Sequence, residues 1–186
     1  MANKEHLDIL KQGVTAWNEW KKEQRGVAPD LRDANLQRTS LREVDFSWAD
    51  LRGANLSWAE LGKANLRGAD LRDANLAGAD FNGAYLGWAN LQGVDFSGVF
   101  LGNTVLHRAY LQEANFQKIS LKNVDFRGAY LENANFAEAI LVDAKELSLE
   151  QLETVVSLYK AKIDPSLQKS LRADFPKLFK KPNSKK

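Results

Sequence analysis

The amino-acid sequence repeats with a period of five residues over more than half of its length. From Leu31 to Leu141 every fifth residue is Leu or Phe, at 23 consecutive positions. Two residues before nearly every one of them lies a small or β-branched residue, most often Ala, and the residue directly before it is Asp or Asn in 14 of the 23 units. A repeat this regular decides the architecture of the whole segment.

A five-residue period fits neither regular secondary structure. On an α-helix five residues advance by about 500°, so successive Leu residues would wander around the helix. On a straight strand an odd spacing alternates between the two faces. All 23 side chains reach one interior only if the chain turns after every unit, and the frequent Asp, Asn, Ser and Gly are residues that favour turns. The sequence therefore predicts an all-β solenoid whose coils stack about 4.8 Å apart.

The unit Ala-Asn-Leu-Arg-Gly at residues 64–68 shows the pattern that resembles the pentapeptide-repeat family, whose motif is A(D/N)LXX. The resemblance covers about residues 31–144. It implies a right-handed quadrilateral β-helix with four pentapeptides per coil, here about 5.75 coils. The interior would then hold one column of Leu and Phe and one of Ala. The residues that mark this predicted core are Leu51, Leu71, Phe96, Phe116, Phe136 and Ala69.

The predicted organisation has four parts. Residues 1–29 form an N-terminal capping helix and a linker, 30–144 the repeat, 145–176 a C-terminal helical cap, and 177–186 a basic, disordered tail. An open solenoid end exposes apolar side chains and unpaired backbone, which a helix can cover.

At the N-terminal end, Leu7, Leu10, Val14 and Trp17 follow helical spacing, which predicts one amphipathic helix over about residues 4–24 with Asn3 as its N-cap. A membrane-binding or partner-binding helix is the alternative interpretation of the same stripe.

At the C-terminal end, Ser148 and Gln151 form a capping-box pattern that predicts a helix over about 149–161, followed by a second over about 165–173. Phe175, Leu178 and Phe179 are expected to fold back onto the solenoid. A solvated tail is the interpretation of the terminal lysines, with contact to nucleic acid or an anionic surface as the alternative. Dimerisation through this region and a monomeric state both stay open.

The composition argues against catalysis. The chain has no Cys and two His, His6 and His107, in different predicted elements. Thiolate chemistry, disulfides and a His cluster for a metal are therefore excluded, and phosphate-binding glycine loops are absent from the sequence. We expect no enzyme, no cofactor and no small-molecule substrate. Without a transmembrane run or a secretory signal, a cytoplasmic protein is expected.

Charge is unevenly distributed, with 11 basic and 15 acidic side chains in residues 30–144 against 10 and 5 in residues 145–186. The family resemblance implies an alternative function here, because its quinolone-resistance members bind DNA gyrase as acidic mimics of DNA. The repeat is only mildly acidic, and Arg32, Arg52 and Arg72 accompany Asp30, Asp50 and Asp70, a pattern typical of ion-pair ladders. Nucleic acid is not expected as a partner.

The outward positions carry unusual aromatic residues. With twenty residues per coil, Val105 stacks on Tyr85, Tyr130 stacks on Tyr110, and Arg108 lies above Trp88 within cation–π reach. Trp48 and Trp58 are also predicted to face outward. We therefore predict a non-catalytic interaction scaffold that binds an unidentified protein through one lateral face. The candidate patch consists of Tyr85, Trp88, Val105, Arg108, Tyr110 and Tyr130. The alternative is that the C-terminal segment covers nearby apolar residues such as Phe100 and Ile140.

Overall fold

The computed structural model describes residues 1–181, and the chain winds there into stacked coils. Parallel backbone bridges join residues twenty apart, from Asp30 with Asp50 up to Asp125 with Lys145. Because one unit has five residues, each coil has four sides. We number the sides by the bridging residues of the first coil, so that the first to fourth sides begin at Asp30, Asn35, Ser40 and Asp45.

Each five-residue unit has three positions with distinct structural roles. The Leu or Phe is the central residue, the residue before it is the bridge residue, and the second residue after it is the corner residue. All 23 corner residues have φ between 54° and 76°. The turn closes with a backbone hydrogen bond, as from Ala34 N–H to the Leu31 carbonyl at 3.1 Å. Positive φ at the third residue is the geometry of a type II turn, which explains the bend after every unit.

The central residues fill the interior, and all 23 are buried. The predicted core markers Leu51, Leu71, Phe96, Phe116, Phe136 and Ala69 are fully buried. Three of these Phe rings stack from coil to coil, with ring centroids of Phe96 and Phe116 4.8 Å apart and those of Phe116 and Phe136 4.9 Å apart. This spacing equals the distance between stacked strands, so identical side chains repeat in register.

Two helices, not one, lie at the N-terminal end: α1 (Lys4–Leu10) and α2 (Val14–Glu23). The prediction of a single helix over 4–24 is wrong because Gly13 has φ 108°, outside the helical region, and separates the two. Asn3 caps α1 as predicted, since its side chain accepts hydrogen bonds from the backbone of the first turn. Trp17 is fully buried against the first coil, where its indole N–H donates to the Asp45 carbonyl at 2.8 Å.

The C-terminal end departs most from the prediction. Ser148 and Gln151 form the predicted capping box, but α3 (Leu149–Glu153) ends after five residues, so the predicted helix over 149–161 is wrong. The chain resumes coiling, and Ser157 and Lys162 make parallel bridges to residues 22 positions earlier. The two additional residues accommodate α3. The side-chain amide of Gln151 in this helix donates hydrogen bonds to the carbonyls of Phe126 and Ala129 in the coil below.

Helix α4 (Pro165–Asp174) and a 3-10 helix (Pro176–Phe179) follow. Leu178 folds back, and its carbonyl accepts a 2.7 Å hydrogen bond from the Leu158 N–H. Lys177, predicted to lie in the tail, belongs to the 3-10 helix, and the prediction of a disordered tail over 182–186 lies outside the described residues. Within residues 1–181 every helix is too short or too polar to cross a bilayer.

Candidate protein-binding surface

One corner of the solenoid carries a stack of aromatic and cationic side chains. Corner residues Trp48 and Trp88 lie two coils apart where the fourth side turns into the first, with Gly68 between them. The guanidinium of Arg67 lies 5.9 Å from the ring centroid of Trp48 and 4.8 Å from that of Trp88. The ring of His107 continues the stack, with its centroid 5.0 Å from that of Trp88. We call these four side chains the tryptophan corner: Trp48, Arg67, Trp88 and His107.

Gly68 makes this arrangement possible. A Cβ atom at this residue would lie 2.3 Å from Cε3 of Trp48, which is closer than real contacts allow. The absent side chain leaves the space between the two coils for the Trp48 ring and for the guanidinium of Arg67. A cation between two indole faces gains roughly 0.5–2 kcal/mol per ring, depending on solvent exposure.

The predicted partner of Trp88 is therefore wrong. The twenty-residue register predicts Arg108 over the indole, but the cation at that ring is Arg67 from the coil below. Arg108 instead extends upward, and its Cγ lies 3.4 Å from the position that a Cβ on Gly128 would take. The ring above Trp88 is His107, so the space that Arg108 would need is filled.

The other predicted patch residues lie on the two sides that meet at this corner. On the fourth side, Tyr85 bridges to Val105 and its ring covers Gly87, where an added Cβ would lie 2.7 Å from Cζ of the ring. On the first side, the exposed rings of Tyr110 and Tyr130 stack at 5.1 Å, inclined by 9°. The patch thus wraps around one edge and does not occupy one flat face.

Trp58 does not belong to this surface. It is a corner residue where the second side turns into the third, diagonally opposite the tryptophan corner, and it covers Gly78. Its side chain is 59% exposed, close to the 56% of Trp48. Trp58 is therefore a natural control for experiments on the tryptophan corner.

Phe100 and Ile140 lie on the third side, away from the tryptophan corner. Phe100 is 58% exposed and Ile140 is also exposed, so within residues 1–181 the C-terminal segment does not cover them as the alternative interpretation would require. The twenty-residue register would pair Phe100 with Ser120, but this bridge is missing among the described residues. A cleft of about 400 Å³, lined by both residues, lies at this point.

The charged residues of the first side neutralise one another. Arg32 donates to Asp30 at 2.7 Å and reaches Asp50 of the next coil at 3.6 Å, and the same pairing repeats one coil higher. These hydrogen bonds from Arg32 hold the pKa of the Asp30 carboxyl at about 2. Arg67, by contrast, makes no ion pair with any residue in 1–181, so its N–H groups are available to an outside carboxylate.

Sequence reasoning missed Trp48 and Arg67 as members of the surface. The signal was present, because Trp48, Gly68 and Trp88 are spaced by twenty residues and Arg67 directly precedes the glycine. Groups of three or more His, Asp or Glu side chains placed to hold a metal ion are absent from the part of the chain that the structure describes.

The model of pentapeptide repeats matches four overlapping segments of the chain, residues 30–68, 59–98, 89–128 and 119–145, with eight copies. The chain therefore belongs to the pentapeptide-repeat family. A comparison with curated proteins finds no match.

Among solved structures, a trypsin-treated variant of QnrB1, a plasmid-mediated fluoroquinolone resistance protein, is similar with a TM-score of 0.67 at 23% identity, covering 84% of this chain and 74% of that chain. Rfr23, a pentapeptide repeat protein from the cyanobacterium Cyanothece 51142, has a TM-score of 0.43 at 26% identity, over 56% of this chain and 86% of its own. HetL from the cyanobacterium Nostoc sp. strain PCC 7120, described as involved in heterocyst differentiation regulation, has a TM-score of 0.30 at 28% identity. The match covers 69% of this chain and 70% of HetL. At this level of identity the QnrB1 structure supports the repeat solenoid fold alone.

Proposed function

We propose that this chain is a non-catalytic protein-interaction scaffold that binds a partner protein through the tryptophan corner and its two adjoining sides. The proposal takes the solenoid to be right-handed and four-sided, with the helical segments closing its ends. The register of twenty residues in the bridges supports four sides.

The stack of Arg67 between Trp48 and Trp88 is the observation that carries the proposal. Trp, Tyr and Arg dominate the binding energy of protein interfaces. Here all three residue types meet at one edge, on backbone that neighbouring coils hold by hydrogen bonds. A rigid, preformed surface loses little conformational entropy when a partner binds.

The charge at the tryptophan corner indicates what the partner presents. Arg67 has no carboxylate partner among the described residues, and Arg108 has none either. A carboxylate of the partner would accept charge-assisted hydrogen bonds from the N–H groups of Arg67. We therefore expect an acidic side chain, flanked by apolar surface, to dock at Arg67.

The experiment is a capture from source cells with three immobilised baits: the wild type, Trp88→Ala and Trp58→Ala. Both variants remove one indole from a corner, half-buried at Trp88 and exposed at Trp58, and equal melting temperatures establish that both are folded. A protein retained by the wild type and by Trp58→Ala but lost with Trp88→Ala supports the proposal. An identical set of retained proteins for all three baits, or no retained protein, contradicts it.

The family resemblance supplies an alternative, a DNA-mimicking modulator of DNA gyrase. The QnrB1 likeness supports a shared fold, whereas the mimic requires free acidic side chains along the rod. Asp30, Asp50 and Asp70 are already paired with arginines, which argues against that alternative. A gyrase supercoiling assay tests it, because an effect at low micromolar protein would favour the mimic over the scaffold.

A further inference from the structure

The lower edge of the first coil is only half covered by α1 and α2. On the fourth side, Asn18 accepts from the Asp45 N–H at 2.8 Å. On the first side, His6 accepts from the Asp30 N–H at 3.0 Å. On the second and third sides, the N–H and carbonyl groups of Asn35 and Ser40 make no backbone hydrogen bond within residues 1–181.

The ladder between the first and second coils shows what these groups would bind. The Asn55 N–H donates downward to the Ala34 carbonyl, and its own carbonyl accepts from the Leu36 N–H, both at 2.9 Å. A third bond joins the Arg38 N–H to the Ser57 carbonyl at 3.0 Å. The lower edge therefore presents the same donors and acceptors as every other coil, and an extended parallel backbone is their complement.

An apolar cleft of about 390 Å³ lies beside this edge, between the two helices and the coil. Its apolar walls are formed on the helical side by Leu7, Leu10 and Val14, and on the coil side by Leu36, Thr39 and Leu41. The side chains of a strand added to the edge would alternate between this cleft and solvent.

We propose that the edge at residues 35–42 binds an extended segment of a partner polypeptide by parallel strand addition. The segment turns where the coil turns at Arg38, so that two of its apolar side chains, five residues apart, enter the cleft beneath Leu36 and Leu41. The first side already shows such a contact, because the Asn3 backbone N–H donates to the Asp30 carbonyl at 3.0 Å. The site is therefore continuous with the interface made by the N-terminal helices, and it does not depend on the tryptophan corner.

An extended segment fits this edge better than a second copy of the chain does. Two identical edges related by a twofold axis would pair antiparallel. The ladder in this molecule is parallel and turns after every five residues, so a twofold pair would align over one side only.

The test uses a synthetic peptide with the sequence of residues 64–71, which carries two central leucines five residues apart. We expect saturable binding at concentrations below about 1 mM, measured by fluorescence polarisation with a labelled peptide. In the native ladder the amides of Leu66 and Leu71 donate upward to the coil above, and those of Asn65 and Asp70 donate downward to the coil below. Because the peptide lies below the edge, N-methylation at Leu66 and Leu71 removes the N–H groups that face the edge, whereas N-methylation at Asn65 and Asp70 removes those that face away from it. Methylation at Leu66 and Leu71 should therefore weaken binding at least tenfold, and methylation at Asn65 and Asp70 should leave it unchanged.

Amide exchange locates the bound peptide. The amides of Leu36 and Leu41 donate upward to the second coil, so they should keep their exchange rates when the peptide binds. The amides of Asn35 and Ser40 lie at the edge itself and should exchange rapidly in the free protein and slow at least tenfold with the peptide. Three results would overturn the proposal: no binding, equal binding of the two methylated peptides, or a protein dimer that the peptide dissociates, which would assign the edge to a second copy.

Discussion

The guanidinium of Arg67 lies 4.8 Å from the ring centroid of Trp88, one coil above it, and also faces the ring of Trp48, one coil below it. This relationship depends on Gly68, whose missing side chain leaves room between the two indoles. The corner is consequently a preformed cation–π stack with donors that no carboxylate of the described chain occupies.

Arg67→Ala should change tryptophan fluorescence without unfolding the protein. The guanidinium covers two of the five Trp side chains, so its removal exposes both indoles to water and should shift their emission to longer wavelength. Exposed cation–π contacts contribute about 0.5–1 kcal/mol each, so the melting temperature should fall by only a few degrees. Lys63→Ala, at the corner where the third side turns into the fourth and where the described corner residues include no tryptophan, should leave the spectrum unchanged, and an equal shift in both variants would contradict the stack.

Gly68→Ala should displace Trp48, whereas Gly93→Ala should not disturb any side chain. Both glycines are corner residues with positive φ, so both variants bear the cost of a left-handed alanine, roughly 1 kcal/mol. A Cβ at Gly68 meets the Trp48 ring, but one at Gly93 has no neighbour within 4 Å. The measurement is near-ultraviolet circular dichroism, in which only Gly68→Ala should alter the tryptophan bands. Identical spectra for the two variants would contradict the predicted clash.

Ala69→Leu should destabilise the protein more than Arg67→Ala. Ala69 is fully buried between Ala49 and Ala89 of adjacent coils, and backbone bonds join the three levels. Extra methylenes in such a core cost about 1–3 kcal/mol, which lowers the melting temperature by roughly 2–12 °C in a chain of this size. Thermal unfolding followed by circular dichroism measures this difference. Equal melting temperatures would show that the interior tolerates larger side chains.

Acid should destabilise the protein partly through Asp30. Hydrogen bonds from Arg32 hold the pKa of this carboxyl at about 2, below its usual value of 3.8. A depressed pKa in the folded state stabilises the protein above the unfolded pKa, and that stability is lost as the pH falls from about 4 to about 2. Asp30 is partly exposed to solvent, so the effect is small.

Asp30→Asn should therefore flatten the decrease of melting temperature between about pH 4 and about pH 2. The exposed Glu153 of α3 makes no ion pair among the described residues, so Glu153→Gln serves as the control. A wild-type slope in Asp30→Asn would contradict the role of this ion pair.

The interior was predictable because each central residue obeys one rule. A five-residue period leaves one geometry that buries all the Leu and Phe side chains, and the 23 positions from Leu31 to Leu141 are buried accordingly. The end of the repeat was not predictable from the same rule. After α3 the pattern returns in a shifted frame as Ala161-Lys162-Ile163, and a helical interpretation of Leu152 to Tyr159 concealed it.

The surface was predictable only in part. The twenty-residue register places Tyr130 on Tyr110, and the two rings do stack. The register alone gives the level of each residue but not the direction of a long side chain, so it could not decide between Arg67 and Arg108 as the partner of Trp88. That choice depends on which neighbour is glycine, a packing detail of Gly68.

The most direct test of the proposed function measures the affinity of the captured partner for purified protein by isothermal titration calorimetry. The wild type is compared with Trp88→Ala and with Trp58→Ala, which removes an exposed indole from the opposite corner. We predict at least a tenfold loss of affinity for Trp88→Ala and wild-type affinity for Trp58→Ala. Equal affinities for all three proteins would contradict the assignment of the tryptophan corner as the binding surface.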